Sequence, residues 1–107
     1  MADAPYFDPD VIDNAAASRY ELHVGDDVAV AEYSKRGDLM ILTHTEVPTE
    51  LEGRGVAGRL ARRALDDARM QGMRVVPRCP FMRAYIEKHP EYQDLVWMPP
   101  DSDARAS

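Results

Sequence analysis

Between residues 19 and 47 apolar and polar positions alternate with a period of two, and from residue 59 the period lengthens to that of a helix. In 19–24, Tyr20, Leu22 and Val24 fall on one side; Gly25-Asp26-Asp27 signals a turn, and 28–33 reads as the returning strand. Lys35-Arg36-Gly37-Asp38 marks a second turn. The next run, 39–47, begins apolar on both faces (Leu39, Met40, Ile41, Leu42), as a central strand does, until Pro48 withholds a ladder donor. Over 59–70, Leu60, Ala61, Ala64, Leu65 and Ala68 form one stripe. Arg62–Asp66 and Arg63–Asp67 stand four apart on the other side, the spacing of ion pairs on a solvated face. Gly72 suits the residue after a helix, 73–76 is a short buried strand ended by Pro77, and Pro80 opens a second helix. That helix carries Phe81, Tyr85, Ile86 and His89 on one stripe and closes at His89-Pro90, leaving 91–97 extended or irregular. The order β-β-β-α-β-α predicts an α+β fold: a mostly antiparallel sheet with one α crossover to a parallel strand, so that 39–47 pairs with 73–76. The run 19–24 is then an exposed edge, which leaves a monomer or a weak homodimer open.

Length and composition bound this picture without changing it. The chain has 107 residues, 45% hydrophobic and 30% charged, enough for one domain with a modest core. Residues 1–10, rich in Asp and Pro, read as a flexible leader whose loose character extends to about Asn14; 11–97 reads as the domain and 98–107 as a disordered tail. A net charge of −6 argues against nucleic-acid or anionic-membrane binding, although arginines concentrate between Arg54 and Arg83. No run is apolar enough to span a bilayer, no secretory signal is visible, and the single Cys79 cannot form an internal disulfide; the cytoplasm is the expected location. Three scattered histidines and one cysteine make no metal cluster.

The chemistry begins at Glu52-Gly53-Arg54-Gly55-Val56-Ala57-Gly58, where three glycines open the long helix. Glycines bend the chain and leave amide N–H groups uncovered, and a helix start adds the positive end of its dipole, a combination that binds phosphate. A P-loop would need Lys and Ser or Thr after its last glycine, where this chain has Arg59 and Leu60. A dinucleotide fingerprint would need a parallel βαβ start, whereas antiparallel hairpins precede these glycines. A pyrophosphate held by backbone amides, as in coenzyme A binding, is what remains; the plain alternative is a ligand-free strand-to-helix turn.

Together with Thr43-His44-Thr45-Glu46-Val47-Pro48, Val76-Pro77-Arg78-Cys79-Pro80-Phe81 and His89-Pro90-Glu91-Tyr92, this segment resembles the GNAT superfamily of N-acetyltransferases, over about residues 11–96. Within it the chain looks like the small single-domain, YjdJ-type branch. The resemblance implies acetyl-coenzyme A or coenzyme A as co-substrate, no metal, and an amine acceptor, either a small molecule or a protein. Glu50 stands where the superfamily often has Gln or Arg, and Ala57 where glycine is frequent. The helices that follow the first strand in full-sized members, and their last pair of strands, have no counterpart. These parts shape the acceptor pocket, so a coenzyme A-binding module with little catalysis is the alternative reading. An interaction domain recruiting a partner through its open edge is the third.

The expected donor site is Gly53, Arg54, Gly55, Val56, Ala57, Gly58 and Arg59 around the pyrophosphate, with backbone amides near Val47 on the pantetheine arm and thioester carbonyl. Cys79, at the start of the second helix, is a candidate nucleophile or base, or else a small buried residue. His44 and Glu46 share a face of the third strand and are candidates to relay the amine proton, or to serve the sheet structurally. Tyr85 resembles the tyrosine that protonates the departing thiolate in many family members; its spacing suits core packing equally.

Overall fold

The computed structural model describes residues 8–98. Five strands lie in chain order across one sheet: β1 (Val11–Asn14), β2 (Arg19–Val24), β3 (Asp27–Arg36), β4 (Leu39–Glu46) and β5 (Arg74–Pro77). Helix α1 (Val56–Met70) connects β4 to β5, and α2 (Pro80–Lys88) follows. The first three junctions are antiparallel; β4 and β5 run parallel, Leu39 opposite Arg74 and Leu42 opposite Pro77. This is the α+β sheet with one α crossover that the periodicity predicts.

Strand β1 is the main departure. Four residues containing Asp13 and Asn14 carry too little alternation to announce a strand, and the leader was expected to stay loose to about Asn14. Pairing supplies what propensity lacks: Val11 lies opposite Leu22, Asp13 lies opposite Tyr20, and Asp13 accepts the Tyr33 hydroxyl at 2.6 Å. The edge of the sheet is therefore β1 and not 19–24, which corrects the expected docking edge. Residues 1–7 of the leader and 99–107 of the tail lie outside the described residues. At the other end, 91–97 is a 3-10 turn, Pro90–Leu95, after which Val96 bridges to Val75 and the Trp97 N–H donates to the Val75 carbonyl at 2.9 Å.

Helix α1 begins at Val56, three residues ahead of the predicted start at Arg59, because Gly55 takes the left-handed conformation that lets the chain enter the helix. Its other end is closed as Gly72 predicts. At φ +70°, Gly72 donates to the Arg69 carbonyl and Met73 reaches back to that of Ala68. The α1 stripe of Leu60, Ala61, Ala64, Leu65 and Ala68 is fully buried against Tyr20, Leu22, Ala29, Ala31, Met40 and Leu42.

Arg63 and Asp66 depart from the solvated face expected of them, since both are buried. Arg63 donates to Asp67 at 3.0 Å and to the carbonyl of Val11, and its guanidinium lies 5.7 Å over the Tyr20 ring. Asp66 accepts the Tyr92 hydroxyl at 2.8 Å. The fork of Arg63 thus ties β1 to α1, a contact visible only once β1 exists.

A bulge in β4 decides which side chains face the helices. Tyr33 lies opposite Leu42, but Glu32 lies opposite His44, so Thr43 is an extra residue. Beyond it the alternation flips: Met40, Leu42 and Thr45 share the helix-facing side with Tyr33 and Ala31, while His44 and Glu46 face the other way.

On that second face Glu21 is buried and accepts from Arg19 at 2.7 Å, His23 at 2.9 Å and Asn14 at 3.0 Å. The His23, Asn14 and Arg19 hydrogen bonds hold its carboxyl down at about 2, against an ordinary 4.5. A depressed carboxylate contributes stability above the ordinary value that is lost as pH falls through the depressed one. Urea midpoints should accordingly drop between about pH 4.5 and 2, and Glu21→Gln should flatten that drop; an identical slope in the variant would refute the assignment.

Candidate active site

The N-terminus of α1 is left open by its own sequence. The first intrahelical bond is Arg59 N–H to the Gly55 carbonyl at 3.2 Å, so the amides of Val56, Ala57 and Gly58 precede the hydrogen-bonded ladder. Gly55, the residue at the cap, has no side chain to receive them, and no acidic residue lies in the first turn. Gly53 and Gly55 hold φ of +82° and +74°, where a Cβ would be strained. Three donors and the positive end of a helix dipole are thereby collected with no anion of the protein's own in that turn.

These groups line a cavity of about 420 Å³, within the size range of ordinary small-molecule sites. Its walls are Val47, Leu51, Glu52, Gly53, Gly55, Val56, Ala57 and Gly58 on one side and Phe81, Ala84, Tyr85 and Lys88 of α2 on the other. A Cβ at Gly58 would stand 3.7 Å from the Tyr85 ring, an ordinary van der Waals contact between the two helices. The cavity gathers five of the seven residues of the expected cradle, Val47 and Tyr85.

Tyr85 differs from the other tyrosines described. Tyr20, Tyr33 and Tyr92 donate their hydroxyls to Asp67, Asp13 and Asp66, whereas among the described residues the Tyr85 hydroxyl has no protein acceptor. Burial raises it above the usual phenol range, opposed by Arg62 nearby. A phenol kept protonated on a cavity wall can donate a proton to whatever occupies the cavity.

The remaining predicted residues lie elsewhere. Arg59, expected to add charge for a phosphate, is committed to Asp8 at 2.8 and 2.9 Å and to Asp10 at 2.8 Å, so its charge is met by two carboxylates of the leader. Its side-chain hydrogen bonds to Asp8 hold that carboxyl below its ordinary range, a pairing across too long a separation for residue order to signal. Arg54 is exposed in the glycine turn and does not line the cavity.

Cys79 caps α2, as expected, but it is buried and its thiol donates to Thr45 Oγ1 at 3.3 Å. That pair stands where β4 outruns β5. Beyond Leu42 opposite Pro77, residues Thr43–Glu46 have no strand neighbour on the β5 side among the described residues, and the N–H groups of Arg78 and Cys79 both turn to the Leu42 carbonyl. The result is a gap between the two parallel strands. His44 and Glu46 are exposed on its far side, 3.4 Å apart, and not in the cavity.

Comparison with known proteins identifies the family and the fold. A family model described as GCN5-related N-acetyl-transferase matches residues 19–95. Protein NATD1 of Gallus gallus and that of Mus musculus are each 35% identical over 75 residues, 69% of this chain and 68% of theirs. The NMR solution structure of a GCN5-like protein from Staphylococcus aureus has a TM-score of 0.63 at 24% identity, covering 77% of this chain and 83% of that one, a likeness of fold. The family match begins at β2, so β1 and Asp8, the partner of Arg59, lie outside it.

Proposed function

We propose that this chain, which belongs to the GCN5-related N-acetyltransferase family, binds acetyl-coenzyme A in the cavity between α1 and α2 and transfers its acetyl group to an amine. The observation that carries this reading is the set of uncapped amides at Val56, Ala57 and Gly58 opening into a cavity they themselves line. In it the pyrophosphate is held by these amides and the turn of Gly53 to Gly55. The pantetheine arm runs past Val47 toward the gap between β4 and β5, whose unpaired edge offers hydrogen bonds to the arm and to the thioester carbonyl.

The gap gives the two substrates separate approaches. The donor enters on the helix side, and the amine comes from the open sheet face, where His44 and Glu46 are placed to take its proton. The amine nitrogen attacks the thioester carbonyl, the C–N bond forms, and the tetrahedral intermediate collapses with cleavage of the C–S bond. The departing thiolate takes its proton from Tyr85. Holding donor and acceptor on either side of one gap supplies much of the rate by positioning. Cys79, buried and bonded to Thr45, packs the gap wall.

The uncovered sheet face favours one alternative, since Glu46 and His44 stand exposed on it: the chain holds coenzyme A or an acyl form with little turnover. Thiol release from acetyl-coenzyme A over a panel of amines and peptides separates the two. Amine-dependent release supports transfer, whereas tight binding with no release supports the holding role. Gly58→Ala offers a second check. Its Cβ meets Tyr85 at ordinary contact distance, so the helix should gain up to about 1 kcal/mol while coenzyme A binds several-fold more weakly. A variant that gains stability with unchanged affinity would contradict the location of the site.

A further inference from the structure

We propose that His89 is a positioning residue for Tyr85, holding its phenol against the cavity. This rests on the role given to Tyr85 above. The two rings stack with centroids 3.9 Å apart and planes 15° from parallel. His89 Nδ1 lies 2.7 Å from the backbone oxygen of Tyr85. A carbonyl only accepts, so Nδ1 is the donor and carries a proton.

The local backbone explains why that carbonyl needs a donor. Tyr85 is in the last turn of α2, where the N–H of residue 89 would close an ordinary helical bond to it. That N–H goes instead to Ile86 at 3.1 Å, because His89, at φ −128° and ψ 79°, has left the helix ahead of Pro90. The side chain replaces the bond that the backbone gives up, and in doing so lays its ring over the phenol. One residue thus fixes both the carbonyl and the ring of Tyr85.

Removing the imidazole takes away both the donor to that carbonyl and the surface on which the phenol lies, so the ring is no longer fixed against the cavity.

The test follows tyrosine ring resonances of the full chain, labelled at the ring carbons, in the wild type, His89→Gln and His89→Phe, with Tyr85→Phe to assign the signal. The Tyr85 signal should move in His89→Gln, which removes the stacked ring, and stay closer to the wild type in His89→Phe, which keeps one, with amide spectra confirming that the variants fold. In turnover, His89→Gln should lower kcat about tenfold with KM for acetyl-coenzyme A within about twofold, and should add less than about twofold in the Tyr85→Phe background. A Tyr85 signal unmoved by His89→Gln, or a His89→Gln effect on kcat undiminished by Tyr85→Phe, would each overturn the proposal. Should the wild type release no thiol with any amine, the transfer reading fails, and the ring shift still decides whether His89 positions Tyr85.

Discussion

Tyr85→Phe is expected to lower kcat for acetyl transfer by about 10²-fold or more while leaving coenzyme A affinity within about twofold and stability within about 0.5 kcal/mol. The three figures follow from one structural contrast. Tyr20, Tyr33 and Tyr92 each spend their hydroxyl on a carboxylate, so removing it would strand an acceptor. The Tyr85 hydroxyl has no protein partner among the described residues, and phenylalanine keeps the ring that packs against Phe81 and His89. Only an interaction made during the reaction is then lost. Rate loss with KM unchanged is the signature of a group that acts on the leaving thiolate. A variant with full activity would return Tyr85 to plain packing, and one that unfolds would show that the hydroxyl has a structural partner after all.

Arg63→Met should cost about 3–5 kcal/mol, the range for stranding one half of a buried ionic contact, and should lower the melting temperature by more than about 10 °C for a domain of this size. Arg63 is buried at the meeting of α1, β1 and β2, where it donates to Asp67 and to the Val11 carbonyl and lies over the Tyr20 ring. Its loss leaves the Val11 carbonyl without that donor and the Asp67 carboxylate, still accepting from Tyr20, without its cation. Arg63→Lys should recover only part of the loss, because an ammonium cannot reproduce the planar fork. Hydrogen exchange in Arg63→Met should speed up first in β1, which that fork ties to the helix. A loss below about 1 kcal/mol would mean that the contact adds little beyond what its surroundings already supply.

What could be read from residue order was what local rules control. Strand β2 was bounded at Arg19 and Val24 because alternation and the Gly25 turn act within a few residues. The parallel partner of β4 followed from one crossover helix. The glycine turn and Tyr85 were found as separate features, and the cavity places them on facing walls. What stayed hidden depends on distant partners. Strand β1 exists through Leu22 and Tyr33, and Arg59 is claimed by Asp8 and Asp10 from the other end of the chain. The bulge at Thr43 is likewise invisible in a run of polar residues, yet it places His44 and Glu46 on the sheet face opposite Thr45. The close of the second helix at His89-Pro90 is legible in the sequence; the stacking of His89 on Tyr85 needed the ring geometry.

Whether backbone amides at the start of α1 hold a pyrophosphate is decided by an amide-resolved NMR titration with coenzyme A. Saturable shifts should concentrate at Gly53, Gly55, Val56, Ala57 and Gly58, with smaller ones at Val47 and Tyr85. Shifts absent from those amides at about 1 mM ligand, weaker than any ordinary co-substrate site, would contradict that mode of binding.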